Sequence, residues 1–149
     1  MGKKKLQRFA ENATFSNMFQ RSFEELNEDG FELRGKWKQD FFCNNNPIVL
    51  ELACGKGEYA VQMAERFPAQ NYIGIDIKGA RMWKGCKYAN EKGLPNIAFI
   101  RSQIELIGYF FGKQEVDEIW MTFPDPFLRK SKRKKRLTSP QFLQRFKPL

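Results

Sequence analysis

The chain has 149 residues, enough for one domain with a buried core, and its 42% hydrophobic content excludes wholesale disorder. Its formal net charge of +9 is concentrated in two places. Residues 129–136 carry seven positive charges, and the N-terminus adds Lys3, Lys4, Lys5 and Arg8. The rest of the chain is therefore slightly acidic, a distribution that favours a nucleic-acid partner over generic solubility.

The absence of histidine excludes a histidine-containing zinc site and a Ser-His-Asp triad. Cys43, Cys54 and Cys86 form no Cys-x-x-Cys pair and are typical of reduced thiols in a cytosolic protein. No apolar run approaches the length that spans a membrane, and the start lacks the apolar core of a signal peptide. We therefore expect a cytoplasmic protein with no metal and no membrane partner.

Residues 1–46 are polar, show no clean hydrophobic period and end in an Asn-rich break before Pro47. Four phenylalanines recur in this segment at roughly helical spacing, which predicts that part of it docks as a helix. The basic start itself is expected to be mobile. The sequence thus predicts a basic, partly flexible arm over 1–46, followed by a folded domain over 47–149.

Beyond residue 46 the pattern alternates between strands and helices. Predicted strands cover 48–52, 72–77, 96–100 and 118–122, with helices over 60–67, 79–92 and 141–146. Strands separated by helical segments predict parallel pairing. The expected fold class is therefore α/β, with a doubly wound, Rossmann-like sheet.

A glycine turn, Gly55-x-Gly57-x-x-Ala60, follows the first of these strands and opens a helix, and Asp76 lies nineteen residues past Gly57. This pattern is typical of nucleotide-binding turns, in which the acidic residue accepts hydrogen bonds from ribose hydroxyls. We expect Gly55 and Asp76 to border a bound nucleoside. The alternative is a purely structural turn, with Asp76 as a helix-start carboxylate.

Charge around this turn indicates which nucleoside binds. Glu51 precedes the turn and Glu58 follows it, and both would repel the pyrophosphate that a dinucleotide places there. S-adenosylmethionine carries a sulfonium and an ammonium group instead, so acidic neighbours favour it. In the alternative interpretation Glu51 merely pairs with Lys56 or Lys78.

Two further residues follow predicted strands at the same edge of the sheet. Gln103 offers both a donor and an acceptor where the adenine edge is usually read, although a surface turn there is an equal alternative. Asp125 lies between two prolines in a stiff, non-helical corner that suits the presentation of one side chain. The basic segment 129–136 follows directly and predicts phosphate contacts, its alternative being a solvated tail or sorting signal.

These motifs resemble the bacterial tRNA (guanine-N7)-methyltransferases, a family of class I S-adenosylmethionine-dependent enzymes. The similarity runs from about residue 34 to the end, through 50–58, 72–81, 123–126 and 134–138. It implies methyl transfer to a guanine of the tRNA variable loop, with tRNA as partner. Cofactor contacts are implied for Glu51, Asp76, Gln103 and Asp125, a catalytic role for Asp125, and substrate contact for Arg129.

The chain departs from that family in three respects. Family members often have Trp-Pro after the Pro-Asp-Pro corner and a His in the basic segment, where this chain has Phe127-Leu128 and no His. The position of Gln103 is commonly acidic or Asn. The family also continues for roughly another third of its length, so we expect the sheet to be truncated at its C-terminal side, with an unpaired edge.

Guanine N7 carries a lone pair and no proton, so its methylation needs no general base, which fits a chain without histidine. We expect Asp125 to accept hydrogen bonds from the guanine N1–H and N2–H edge and to help orient the nearby sulfonium. A methyltransferase for another RNA or protein, and a non-catalytic basic RNA-binding fragment, stay open as alternatives. The oligomeric state is expected to be a monomer or a weak homodimer.

Overall fold

A computed structural model describes residues 3–149 and contains one five-stranded sheet. All strand pairs are parallel, and the spatial order is β1-β4-β3-β2-β5. The strands are β1 (Met18–Gln20), β2 (Ile48–Leu52), β3 (Asn71–Asp76), β4 (Ile97–Arg101) and β5 (Glu118–Trp120). The predicted parallel α/β sheet is confirmed, with the strands after residue 46 within one or two residues of their predicted limits.

The helices match the alternating pattern after residue 46 and add several elements before it. They are α1 (Lys3–Asn12), α2 (Phe23–Glu28), α3 (Glu58–Arg66), α4 (Gly79–Lys92), α5 (Ile107–Phe110) and α6 (Pro140–Phe146). A π-helical turn covers Trp37–Phe41, and 3-10 turns cover Ile104–Leu106 and Lys130–Lys135. Helix α4 is capped by Gly93 in the left-handed conformation, directly after the predicted end at residue 92.

The sheet separates two hydrophobic cores because alternate residues of each strand point to opposite faces. On β2, Ile48, Leu50 and Leu52 join an aromatic-rich core formed with the π-helical turn, α5 and α6. Val49 faces the other core, which is built from α3 and α4. Both faces are covered, so β2 is buried throughout and β3 is buried except at its last residue, Asp76, as parallel strands require.

Residues 1–46 supply parts of the sheet and of both cores. They were predicted to form a basic arm outside the domain. Strand β1 pairs with β4, and α1 docks on α4 through a hydrogen bond from Asn12 Nδ2 to the Gly79 carbonyl oxygen at 2.9 Å. The Trp37 side chain is fully buried and donates from Nε1 to the Phe110 carbonyl oxygen at 2.9 Å. This segment joins the domain because its aromatic side chains are buried against residues that are distant in the sequence.

The chain order of the strands creates a crevice between β2 and β5. From β2 the chain proceeds outward through β3 to β4 on one side, and β5 then returns to the other side of β2. In open parallel sheets, ligands bind outside the carboxyl ends of the strands at such a switch point. Among residues 3–149, no helix has the length and apolarity needed to cross a membrane.

Candidate functional site

Asp76 is the last residue of β3, and its carboxylate connects two turns at the site. Its Oδ2 accepts a hydrogen bond from the Gly55 backbone N–H at 3.0 Å, and its Oδ1 accepts one from the Lys78 backbone N–H at 2.8 Å. The carboxylate thus holds the glycine turn after β2 against the turn after β3. Each carboxylate oxygen retains a second acceptor position, so the group can still bind two hydroxyl donors.

The glycine turn adopts a backbone that few side chains allow. Ala53 has φ +56°, Gly55 +59° and Gly57 +71°, all in the left-handed region. A Cβ atom added to Gly57 would also lie 2.4 Å from Cε1 of the buried Phe99. The turn therefore depends on glycine at this position for both its conformation and its close approach to the sheet.

Gly85, on α4, contacts the other side of this turn. Its role was not predicted from the sequence. Its backbone N–H donates to the Lys56 carbonyl oxygen at 3.0 Å. A Cβ atom added there would lie 2.5 Å from the same oxygen, which is backbone and cannot swing away. The only sequence signal was a glycine inside a helical pattern, which often marks close packing.

Glu51 is buried at the end of β2, with 3% of its surface exposed. Its Oε1 accepts from Thr122 Oγ1 at 2.9 Å, and its Oε2 accepts from the Ala60 backbone N–H at 3.2 Å. Neither Lys56 nor Lys78 forms an ion pair with it in the described part of the chain. Glu51 thereby links β2, the first turn of α3 and the segment that leads to Asp125.

Burial raises the pKa of Glu51, although hydrogen bonds from Thr122 and Ala60 oppose the shift. A carboxyl whose pKa is higher in the folded than in the unfolded state holds its proton more tightly when folded. The free energy of unfolding should therefore fall as the pH rises from about 4.3, the ordinary pKa of glutamate, through the raised pKa. Above the raised pKa, the contribution of Glu51 to the free energy of unfolding no longer changes with pH.

Glu51→Gln is expected to abolish that part of the pH dependence because glutamine does not titrate. Urea unfolding of the parent and the variant between pH 4.5 and about 8 measures the effect. The matched control is Glu28→Gln, which changes an exposed carboxylate and should leave the slope unaltered. An equal slope in the parent and Glu51→Gln would assign the pH dependence to another group.

A cavity of about 310 Å³ opens at the carboxyl ends of the strands and brings three of the sequence-predicted residues together. Asp76, Gln103 and Asp125 all line it, whereas Glu51, Gly55 and Arg129 do not. Glu51 bonds to Thr122, three residues before Asp125, and Gly55 is connected to the site through its bond to Asp76. The remaining lining residues are Ala53, Ile77, Ser102, Ile104, Glu105, Phe127, Lys135, Leu137 and Phe142.

The charges around this cavity are mainly negative. Asp76, Glu105 and Asp125 contribute three carboxylates, and Lys135 contributes the only ammonium group among the described lining residues. Glu105 and Lys135 were not singled out from the sequence, because only the folding of their turns over the crevice brings them there. The cavity consequently favours a cationic or neutral ligand over a polyphosphate.

The Pro-Asp-Pro corner is tied to the basic segment that follows it. Phe127 has φ +41°, and its carbonyl oxygen accepts from Arg136 Nε at 3.3 Å and Nη2 at 3.1 Å. This bond folds residues 129–136 back over the corner. A second hollow of about 740 Å³ lies beside it, lined by Lys130, Ser131, Arg133, Lys134, Arg136, Thr138, Ser139, Pro140 and Gln141.

The Cys54 thiol and the acidic side chains are the groups on which a reactive thiolate or a metal site would depend. Burial raises the pKa of the Cys54 thiol well above its ordinary value, and nearby Glu51 and Asp76 add to the shift, so Cys54 stays a neutral thiol. Within residues 3–149, no three side chains of the His, Cys, Asp or Glu type gather as a metal site would require.

Comparison with known proteins agrees with this geometry. The family model described as "Putative methyltransferase" matches residues 45–149, which include β2 to β5, the glycine turn and the cavity. The chain belongs to this methyltransferase family. The match includes the segment around Asp125 as well as the glycine turn.

Curated relatives extend the similarity to nearly the whole chain. The tRNA (guanine-N(7)-)-methyltransferase of Christiangramia forsetii is 59% identical over 145 residues, 97% of this chain and 65% of that protein. The protein of the same name from Bacteroides fragilis is 47% identical, covering 99% of this chain and 58% of its own length. The chain therefore spans about three fifths of the length of these relatives.

A solved structure supports the fold. The crystal structure of a SAM-dependent methyltransferase from Aquifex aeolicus matches with a TM-score of 0.51 at 19% identity. The match covers 78% of this chain and 63% of that one. The sheet therefore has the Rossmann-like arrangement that the sequence predicts.

Proposed function

We propose that the chain binds S-adenosylmethionine and, with tRNA as its partner, methylates N7 of a guanine in the variable loop. The observation that carries this proposal is the cavity that joins Asp76, Gln103 and Asp125 at the switch point of a methyltransferase sheet. The names of the curated relatives support the guanine-N7 chemistry.

The cavity suits this cofactor in both polarity and hydrogen bonding. The free acceptor positions of Asp76 can receive the two ribose hydroxyls, and the Gln103 side chain can pair with the adenine edge. Three carboxylates suit the positive sulfonium and ammonium groups of the cofactor and oppose a pyrophosphate. Glu51 acts indirectly here, by holding Thr122 and the first turn of α3 in place.

Asp125 is proposed as the catalytic residue. When bound, S-adenosylmethionine supplies an electrophilic methyl carbon, which N7 attacks through its lone pair while the carbon–sulfur electron pair remains on sulfur. The Asp125 carboxylate accepts hydrogen bonds from guanine N1–H and N2–H, which orients the base and stabilises the positive charge that develops on it. No proton leaves N7, so the chain needs no general base.

The basic segment 129–136 and the lysines of α1 are proposed to hold tRNA phosphates, with Arg129 nearest to Asp125 in the chain. Such contacts fix the position of the RNA and weaken as salt rises. The free thiols of Cys43, Cys54 and Cys86 in the described chain support a reducing, cytoplasmic setting. We propose a monomer or weak homodimer as the working state.

Calorimetric titration with S-adenosylhomocysteine, the product of the cofactor, tests this proposal. The parent chain is expected to bind it with a stoichiometry of one, and NAD is expected to give no heat because its pyrophosphate would meet the carboxylates. A folded chain that binds neither compound would contradict the cofactor assignment. Binding of NAD alone would indicate a dehydrogenase-type site instead.

Methyl acceptance distinguishes the remaining alternatives. Unmodified tRNA transcript is expected to accept methyl groups at guanine N7, whereas ribosomal RNA and protein are not. Transfer to one of the latter would identify a methyltransferase with another substrate. Binding of tRNA without any binding of S-adenosylhomocysteine would identify a non-catalytic RNA-binding chain.

A further inference from the structure

Two large apolar side chains beside Asp125 are almost completely exposed. Phe123 exposes 90% of its surface and Leu128 exposes 84%, more than any other large hydrophobic residue in the described chain. Asp125 and Phe127, between them, line the cavity. A single exposed apolar residue is ordinary, but two at this extreme on either side of one carboxylate indicate a contact surface.

The backbone on both sides of Phe123 is held in place. Thr122, just before it, donates from Oγ1 to the buried Glu51 carboxylate at 2.9 Å. Pro124, just after it, has a fixed φ and biases Phe123 toward extended conformations. The ring is therefore presented to solvent by a short, restrained segment, which lowers the entropic cost of using it for binding.

The charges near this ring indicate what would cover it. The basic segment 129–136 begins six residues later and is folded back by the bond from Arg136 to the Phe127 carbonyl oxygen. The 740 Å³ hollow beside it is lined by four cationic side chains and by three hydroxyls, those of Ser131, Thr138 and Ser139. Cations and hydroxyls together suit a phosphate, and an aromatic ring on the corner to which Arg136 ties this hollow suits a base.

We propose that Phe123 is a stacking platform for an unpaired base of the RNA, whose neighbouring phosphate occupies the basic hollow. The inference rests on the proposed function and extends it to the conformation of the substrate. A base within a duplex has both faces covered by its neighbours, so a base on this ring has left its stack. The bound segment is accordingly single-stranded where it meets Asp125.

Binding of a fluorescently labelled unmodified tRNA transcript to the parent and its variants tests this inference. Phe123→Ala is expected to weaken binding by roughly 5- to 100-fold, the usual effect of removing one stacked aromatic ring. Phe123→Trp should bind as well as the parent, while Phe123→Leu, which keeps an apolar side chain without a ring, should be impaired. The matched control is Phe67→Ala, which removes an aromatic ring that is 41% exposed and lines neither the cavity nor the basic hollow, and which should change affinity less than about twofold.

The salt dependence separates stacking from a phosphate contact. Phe123→Ala should lower affinity by the same factor at each salt concentration, because stacking releases no counterions. Lys134→Gln should make the slope of log K against log salt less steep, by about 0.7 to 0.9 for one lost phosphate contact. Thermal unfolding of each variant confirms that the fold is retained.

Three outcomes would overturn the inference. Unchanged tRNA affinity of Phe123→Ala would mean that something else covers the ring, such as a second copy of the chain. Equal affinity of Phe123→Leu and the parent would indicate apolar contact without stacking. A parent chain that binds S-adenosylhomocysteine but no tRNA would remove the RNA partner while leaving the cofactor site intact.

Discussion

Trp37→Ala is expected to lower the free energy of unfolding by about 3–5 kcal/mol, the usual cost of removing a fully buried large aromatic side chain. The indole has no exposed surface and packs against Phe31, Phe42 and Phe111. Its Nε1–H bond to the Phe110 carbonyl oxygen is lost as well, leaving a buried acceptor without that partner. Single domains are stable by only about 5–15 kcal/mol, so the variant should be close to unfolding.

Urea unfolding followed by circular dichroism measures this loss. Phe23→Ala is the matched control, since it removes another aromatic ring from residues 1–46 at a position that is 52% exposed. It should cost about 1 kcal/mol or less. A Trp37→Ala variant as stable as the Phe23→Ala control would mean that this segment lies outside the cooperative core.

Asp76→Ala is expected to weaken binding of S-adenosylhomocysteine by roughly 10- to 100-fold or more. Hydrogen bonds to a charged group contribute about 1.5–3 kcal/mol, and each 1.4 kcal/mol is a factor of ten in affinity. The variant loses the proposed ribose contacts and also the bonds that hold Gly55 and Lys78. Calorimetric titration of the parent and the variant measures the two dissociation constants.

Two further variants complete this test. One retains part of the hydrogen bonding of Asp76, and the other is a control outside the cavity. Asp76→Asn keeps one acceptor for the Lys78 N–H and should fall between the parent and Asp76→Ala. Glu91→Ala removes an exposed carboxylate of α4, away from the cavity, and should bind like the parent. An Asp76→Ala variant that is folded and binds with parental affinity would exclude the proposed role of Asp76.

Local sequence signals were enough for the central architecture. Hydrophobic runs such as 48–52 and the glycine turn predicted four strands and the helices α3 and α4, and the structure confirms them. Strand β5 is the exception in length, since it ends at Trp120 where 118–122 was predicted. Beyond Trp120 the chain leaves the sheet, and the Thr122 side chain bonds to the Glu51 carboxylate instead.

The segment before residue 47 could not be predicted in this way. Strand β1 has only three residues, and its identity comes from pairing with β4, some eighty positions later. Trp37 is buried by its bond to Phe110 of α5 and by neighbouring aromatic residues, Phe31, Phe42 and Phe111, rather than by any local periodicity. Short elements whose stability comes from distant partners leave little periodic signal in the sequence.

For the site, the sequence by itself determined which types of residue are present and which strand each of them follows. The order β4-β3-β2-β5 then brings Asp76, Gln103 and Asp125 to one cavity, because carboxyl ends of parallel strands share an edge. Only the tertiary structure decided that Glu51 bonds inward to Thr122 and Ala60, that Gly85 holds the turn, and that Phe123 stays uncovered. These outcomes depend on which side chains meet across elements, and packing in three dimensions sets that.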